Sequence, residues 1–456
     1  MELPKAFTER MQAQLGSEWP DFLDALNTPP PVSIRRNPLK PYQLKEISGG
    51  VKWNSDGFYL PERPVFTLDP AFHAGAYYVQ EASSMFVGEA IRQLLPGRSP
   101  ANALDLCAAP GGKSTLLLSG LPPGSLLLAN EVIRSRYQSL RHNLVKWGYP
   151  NACSSMHDSR DFGALTGFFD LILVDAPCSG EGLFRKDPGA AEEWSEEHIQ
   201  LCAGRQKRIL ADAVGLLAPE GLLLYCTCTY NQQENEENAQ WLKDTFGLNP
   251  EPLEMDAEWG ISQSGLGYQF FPHRVRGEGF YLAAFRKSEG QSYNGPKLRE
   301  MAPKGYQALP RKQKESISKW IKDPESLVFF QHATGQVIAL PEGLQEPVTR
   351  LSQSLSRFQA GIELGQFKNN DFVPAHALAL SGLVAEAVPR AGLERESALR
   401  YLKKENIDLE GIPEGWVLAT YEGLGLGWMK VLKNRINNYF PKDWRIRMAL
   451  PDKEDT

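Results

Sequence analysis

Apolar positions recur along this chain with two periods, and the change between them marks its organisation. Phe7, Met11 and Leu15 fall at helical spacing, and Phe22, Leu23 and Leu26 suggest a second short helix. Pro29-Pro30-Pro31 ends it, and Val32 to Asn37 reads as a strand. Residues 1 to about 70 are therefore expected to form a small α+β unit. From about residue 76, strands alternate with helices, the pattern of a parallel sheet covered on both faces. The expected strands are Ala103–Cys107, Leu126–Asn130, Ala152–Met156, Phe169–Val174 and Leu222–Cys226. Arg134–Trp147, Glu196–Leu217 and Asn231–Thr245 are the expected helices between and after them. Gln269-Phe270-Phe271 and Gly279–Arg286 look like a hairpin, which would make the final strand antiparallel.

Residues 288–325 are polar, basic and punctuated by Pro and Gly, as a linker would be. Residues 326–456 form a third unit with short strand-like runs at Leu327–Phe330, Val337–Leu340 and Trp416–Thr420, and a helical stretch near Glu394–Lys404. The methyl-rich runs are of strand length, and none approaches a membrane span. The first residues lack a basic stretch followed by an apolar one, so no secretory signal is expected.

Charge complicates this picture. The 456 residues carry a net charge of −6, which alone argues against a nucleic-acid partner. Net charge averages over local fields, however. Lys297–Lys322 and Lys430–Arg447 are both strongly basic. Six cysteines without a C-x-x-C pair (Cys107, Cys153, Cys178, Cys202, Cys226 and Cys228) point to free thiols in a reducing cytoplasm.

Candidate chemistry gathers at the carboxyl ends of the parallel strands, where open α/β sheets bind ligands. Cys107-Ala108-Ala109-Pro110-Gly111-Gly112-Lys113 links the first strand to a helix. Its small residues let a ligand approach the backbone. Neither the phosphate-loop pattern nor the dinucleotide pattern fits, which disfavours nucleoside triphosphate and NAD. Glu131, ending the second strand, could accept hydrogen bonds from ribose hydroxyls. Asp158, after the third, could meet an adenine amine. Asp175-Ala-Pro-Cys178 leaves the fourth strand and Cys226-Thr-Cys228 leaves the fifth. Cys-x-Cys plus one distant Cys lacks the spacing of a zinc site, so no metal is expected.

With these motifs the chain resembles the Sun-family RNA 5-methylcytosine methyltransferases, and within them the bacterial RsmF-type ribosomal RNA enzymes. Three segments carry the resemblance: 107–113, Asp175-Ala-Pro-Cys178-Ser-Gly180 and Tyr225-Cys-Thr-Cys228-Thr. Gly75–Ser84 and Phe271-Pro-His273-Arg274 add to it. The resemblance implies a Rossmann-like class I methyltransferase domain at 71–287, with S-adenosyl-L-methionine held by 107–113, Glu131, Asp158 and Asp175. It implies an RNA-binding N-terminal domain and a C-terminal PUA-like domain in 326–456, marked by Gly423–Lys430 and Asn437–Lys442. It implies Cys228 as the nucleophile, Cys178 as the group for product release and Asp175 at N3 of the base. Cys226 departs from the family, which often has Ser there. The expected substrate is 16S rRNA, the expected state a monomer in the cytoplasm, and Arg185, Lys186 and Arg205 are candidate phosphate contacts. Transfer RNA as substrate, or a non-catalytic RNA-binding assembly factor, are the alternatives.

Overall fold

The computed structural model describes residues 3–95, 101–369 and 371–450; the ends of the first and last expected units, 1–2 and 451–456, lie outside it. The chain opens with α1 (Lys5–Leu15) and α2 (Trp19–Asn27), followed by β1 (Val32–Arg36), β2 (Gly49–Val51), β3 (Asn54–Leu60), α3 (Pro70–Ala74) and β4 (Tyr77–Val79). These strands form one sheet in the order β2-β3-β1-β4. The first unit thus runs past residue 70, because β4 pairs with β1 through Ile34↔Val79 and Arg36↔Tyr77. Helices α1 and α2 bury Phe7, Met11, Phe22 and Leu26 against Phe184, Tyr230 and Phe271 of the next unit rather than against their own sheet. Apolar area removed from water there fixes the first unit to the second.

The second unit comprises α4 (Phe86–Leu94), β5 (Asn102–Asp105), α5 (Gly112–Gly120), β6 (Leu126–Asn130), α6 (Arg134–Trp147), β7 (Ala152–Ser155), β8 (Phe169–Asp175), α7 (Pro188–Glu193), α8 (Glu196–Leu216), β9 (Leu217–Thr227), α9 (Glu236–Phe246), β10 (Asn249–Pro250), β11 (Ser262–Ser264), β12 (Gly267–Phe270) and β13 (Phe280–Arg286). The order across its main sheet is β11-β12-β13-β9-β8-β5-β6-β7. Strands β5 to β9 are parallel, and β13 runs antiparallel to β9, as the hairpin reading expects. Leu104, Leu128, Ile172 and Leu223 are fully buried, which is why these strands read as continuous apolar runs rather than alternating ones. Two shifts stand out. β9 begins directly after α8, five residues before the expected Leu222. Helix α9 starts at Glu236 rather than Asn231, because the side chains of 231–235 serve the rim of the sheet.

The third unit is less separate than its sequence suggests. The stretch expected as a linker holds β14 (Tyr306–Ala308) and α10 (Arg311–Ser318); only 288–305 lacks an element. Strand β14 pairs with β15 (Leu327–His332), which is followed by β16 (Gln336–Pro341), α11 (Gln345–Ser354), β17 (Phe358–Ala360), β18 (Ile362–Lys368), β19 (Asp371–Pro374) and α12 (His376–Leu380). Ile317 of α10 is fully buried among Leu327, Phe329 and Val337, so the helix is part of this fold. Strand β17 adds an antiparallel edge to the main sheet beside β7. The chain ends in β20 (Arg390–Gly392), α13 (Arg395–Lys403), β21 (Gly415–Tyr421), β22 (Leu424–Leu432) and β23 (Arg435–Asn438), a second small sheet. Its Ala391, Leu399, Val417 and Met429 share a core with Ile34, Ala71 and Tyr77 of the first unit. The two ends of the chain therefore close on each other. Among the described residues no helix is long and apolar enough to cross a membrane.

Candidate active site

The parallel strands deliver the expected residues to one rim. Asp175 ends β8, and Cys228 follows β9. The Cys178 and Cys228 sulfurs lie 3.0 Å apart, and the Cys228 amide donates to Cys178 Sγ at 3.3 Å. The hydrogen bond to Cys228, with burial added, pushes the Cys178 thiol well above its ordinary range. Cys178 is therefore held as a neutral, proton-bearing thiol. The 178–182 loop is clamped to the end of β9 by Gly182 N donating to Cys228 O at 2.9 Å. A Cβ at Gly182 would sit 2.5 Å from Gly279 O, so only glycine permits this approach.

Cys226 is in a different environment. On β9, Leu222, Leu224 and Cys226 point into one core cluster, while Leu223 and Tyr225 point into the other. Its thiol is fully buried, and burial pushes it well up. Cys228 lies one residue beyond the strand, where the alternation no longer sends the side chain into the core.

The turn 107–113 lies beside this pair. Lys113 Nζ donates to Asp175 Oδ2 at 2.8 Å. Burial pulls the Lys113 ammonium down, but the charge of Asp175 outweighs it and the net shift is upward. Asp105 is fully buried and burial pushes it up to about 7. Ser114 Oγ donates to its Oδ2 at 2.6 Å, while Oδ1 has no partner among the described residues.

A cavity of about 340 Å³ opens at the ends of β5, β6 and β7, within the size range of small-molecule sites. Cys107, Glu131, Val132, Ile133, Asp158 and Arg205 line it. Val132 and Ile133 are 56% and 49% exposed, an apolar patch on its wall. Glu131 accepts from Ile133 N at 2.9 Å and lies 3.6 Å from Arg136. Arg136 also donates to Ala109 O. Asp158 accepts from Arg208 at 2.9 Å. The apolar wall and the buried carboxylate of Glu131 suit a ligand bearing a flat ring and hydroxyls.

Two groups of residues were not anticipated. Arg35, 1% exposed, donates to Gln80 Oε1, Gly112 O and Thr115 Oγ1, bracing the first turn of α5. Burial pulls it down to about 10. Glu234 accepts from Ser179 N, Ser179 Oγ, Asn231 and Gln206, holding the Cys178 loop to the start of α9. Burial raises the Glu234 carboxyl. The polar run Asn231–Asn235 directly after a rim strand was the available signal. One expectation is corrected: Arg185 is buried and spent on Glu278, Gly277 O and Ala25 O, so it is not free for phosphate. Lys186 and Arg205 are exposed.

Fold and rim together define a Rossmann-like methyltransferase domain with an added N-terminal domain and a C-terminal PUA domain. The family model for 16S rRNA methyltransferase RsmB/F matches residues 93–286, that for the N-terminal domain of 16S rRNA methyltransferase RsmF matches 3–82, and that for the methyltransferase RsmF PUA domain matches 389–446. The chain is 31% identical to "Ribosomal RNA small subunit methyltransferase F" of Vibrio parahaemolyticus over 97% of both chains, and 30% identical to the protein of that name from Escherichia fergusonii over 96% of both. It belongs to the RsmF family of 16S rRNA methyltransferases. Among solved structures it is similar to a methyltransferase homolog protein from Pyrococcus horikoshii (29% identity, TM-score 0.53, covering 62% of this chain and 95% of that one). NSun6 from the same organism, solved with SFG, shares the fold (21% identity, TM-score 0.54, 63% of this chain and 99% of that one).

Proposed function

We propose that the protein methylates carbon 5 of a cytosine in small-subunit ribosomal RNA, with S-adenosyl-L-methionine as methyl donor and Cys228 as nucleophile. One observation carries this reading: two half-buried thiols 3.0 Å apart, both outside the core, beside an Asp–Lys pair and a small-molecule cavity. The names of the full-length relatives support RNA as the substrate.

Carbon 5 of cytosine is too weak a nucleophile to take a methyl group unaided. Addition of the Cys228 thiolate to carbon 6 pushes electrons into the ring and makes carbon 5 nucleophilic, the usual gain of covalent catalysis. Residues 107–113, Glu131 and Asp158 would hold S-adenosyl-L-methionine, which when bound would supply the methyl group. Asp175 ends β8 and is ion-paired with Lys113 beside the two thiols. We assign it to hold the ring at N3, where negative charge would otherwise develop. After methylation the proton on carbon 5 passes to a water, its electron pair re-forms the C5–C6 double bond, and the C–S bond breaks with its electrons returning to Cys228 as thiolate. Cys178, a thiol 3.0 Å from that sulfur, would assist this release by donating its S–H to the departing thiolate. The target base has to be unpaired or extruded, since carbon 6 is not reachable inside a duplex.

The test uses the two cysteines separately. Cys228→Ala abolishes methylation and covalent RNA binding. Cys178→Ala accumulates a protein–RNA adduct, seen as a slow band on a denaturing gel. Bisulfite sequencing of small-subunit rRNA with and without the gene gives the modified position. A Cys228→Ala protein that still methylates rules the reading out.

A further inference from the structure

A second pocket, of about 590 Å³, has two lining residues that touch the same turn and is not used by the chemistry above. It lies between the first unit and α6. Phe66, Phe72, Tyr78 and Trp147 line it, together with Asn143, Lys146 and Arg63. No Asp or Glu is among its lining residues. Tyr78 and Asn143 touch the turn itself. The Tyr78 ring is 3.3 Å from where a Cβ on Gly112 would be, and Asn143 Nδ2 donates to Pro110 O at 2.8 Å.

Lys146 is the unusual member. It is 8% exposed, and its ammonium contacts the Phe72 ring at 3.9 Å from the centroid. Among the described residues no carbonyl or carboxylate bonds it. Its neighbour Lys40 spends its own ammonium on the carbonyls of Ala74 and Lys146. Burial pulls Lys146 down to about 8, and no nearby acid offsets that. Buried charges are ordinarily paired, because an unpaired one costs several kcal/mol. A cation kept in this state, in a pocket with aromatic walls and no acid, lacks an anion. Exposed Arg63, whose guanidinium lies over the Phe66 ring, adds a second positive group at the mouth. Arg63 and Val79 are shared with a larger groove of about 1080 Å³ that also takes in Lys186 and Arg276. That groove reaches Arg185 and Lys186 in the loop following Cys178, so the two cavities adjoin.

We propose that this pocket holds one unstacked nucleotide of the substrate RNA near the target cytosine, its base against Phe66, Phe72 or Tyr78 and its phosphate on Lys146 and Arg63. This rests on the RNA reading above and adds to it the place where the strand is gripped. Aromatic faces accept any base, so the pocket would anchor the strand without reading sequence. Being attached to the turn through Tyr78 and Asn143, it would set the distance between the gripped nucleotide and the reacting one.

The experiment uses the full chain and a short single-stranded RNA carrying 4-thiouridine. Ultraviolet crosslinking followed by peptide mapping gives crosslinks within 63–79 or 141–149. Lys146→Met keeps the volume and removes the charge. Its RNA affinity falls about tenfold and its log–log salt slope flattens by about 0.7, the signature of one lost single-strand phosphate contact. Its melting temperature is unchanged or higher, because a buried unpaired charge has gone; a purely structural lysine would give the opposite. Arg63→Gln, at an exposed position, flattens the slope similarly with no effect on folding. S-adenosylhomocysteine affinity stays at the wild-type value in both. If the wild-type protein binds and methylates RNA but neither variant weakens binding and no crosslink falls in these segments, the pocket assignment is overturned and the RNA reading stands. If the wild-type protein binds no RNA, both are overturned.

Discussion

One pocket is lined in part by the turn 107–113 and another by residues that touch it, and the two treat charge in opposite ways. In the cavity at the strand ends, each carboxylate has a cationic neighbour: Glu131 has Arg136, Asp158 has Arg208, and at its side Asp175 has Lys113. In the aromatic pocket no Asp or Glu is among the described residues lining it beside Lys146 and Arg63, although the groove that Arg63 also lines holds Glu62 and Glu81. The first arrangement is balanced before any ligand arrives and suits a donor that carries both signs. The second is left positive and suits a polyanion. A net charge of −6 says nothing about either, because fields inside clefts are set by local groups.

The largest effect expected from breaking the balanced side is at Lys113. Lys113→Met leaves Asp175 without its partner. Removing one member of a buried pair costs about 3–5 kcal/mol, and less is expected here because the Asp175 side chain is 30% exposed. Methyl transfer in a single turnover falls by about a hundredfold or more, the usual effect of losing a preorganised charge beside reacting atoms. Denaturant unfolding alongside single-turnover rates separates the two losses. A variant with wild-type rates would mean that the pair only supports the fold.

A smaller and more selective effect is expected at Glu131. Glu131→Gln removes the negative charge but keeps the shape, so donor affinity falls by about tenfold, in line with a hydrogen bond to a charged group. Calorimetry with S-adenosylhomocysteine measures it. RNA affinity stays unchanged, which distinguishes this pocket from the aromatic one. If RNA affinity falls as well, the two pockets are not independent and the contrast between them fails.

The balanced side was legible in the sequence, and the positive side was not. Parallel strands put Asp175, Cys178 and Cys228 at successive rim positions, so chain order and strand ends were enough to group them. The aromatic pocket is assembled from Phe66 and Phe72 in the first unit and Lys146 on α6, 80 and 74 residues further along the chain, and no motif links them. Lys146 alone reads as a solvated helix residue. Its burial follows from the first unit closing over α6, a tertiary fact. The same limit hid α10 in an apparent linker: Arg311–Ser318 looks solvated, and only its single buried Ile317 ties it down. Arg185 failed in the opposite direction, since a basic residue near a rim motif looked available until Glu278 was seen beside it.

The smallest effect is expected at Cys226, and it bears most directly on the choice of nucleophile. Cys226 and Cys228 are two residues apart, and residue spacing alone would put them on one strand face. The face is broken because β9 ends at Thr227, leaving Cys226 among Leu222 and Leu224 and Cys228 beyond the strand. A thiol packed in that cluster and shifted upward by burial is neither accessible nor readily ionised. Cys226→Ala therefore costs about 1 kcal/mol of stability, as loss of a small buried side-chain group does, and leaves the amount of covalent RNA adduct and its rate of formation unchanged. Those rates, measured by denaturing gel over time, are the informative number. An adduct lost in Cys226→Ala but kept in Cys228→Ala would exchange the roles of the two thiols and require the end of β9 to rearrange when RNA binds.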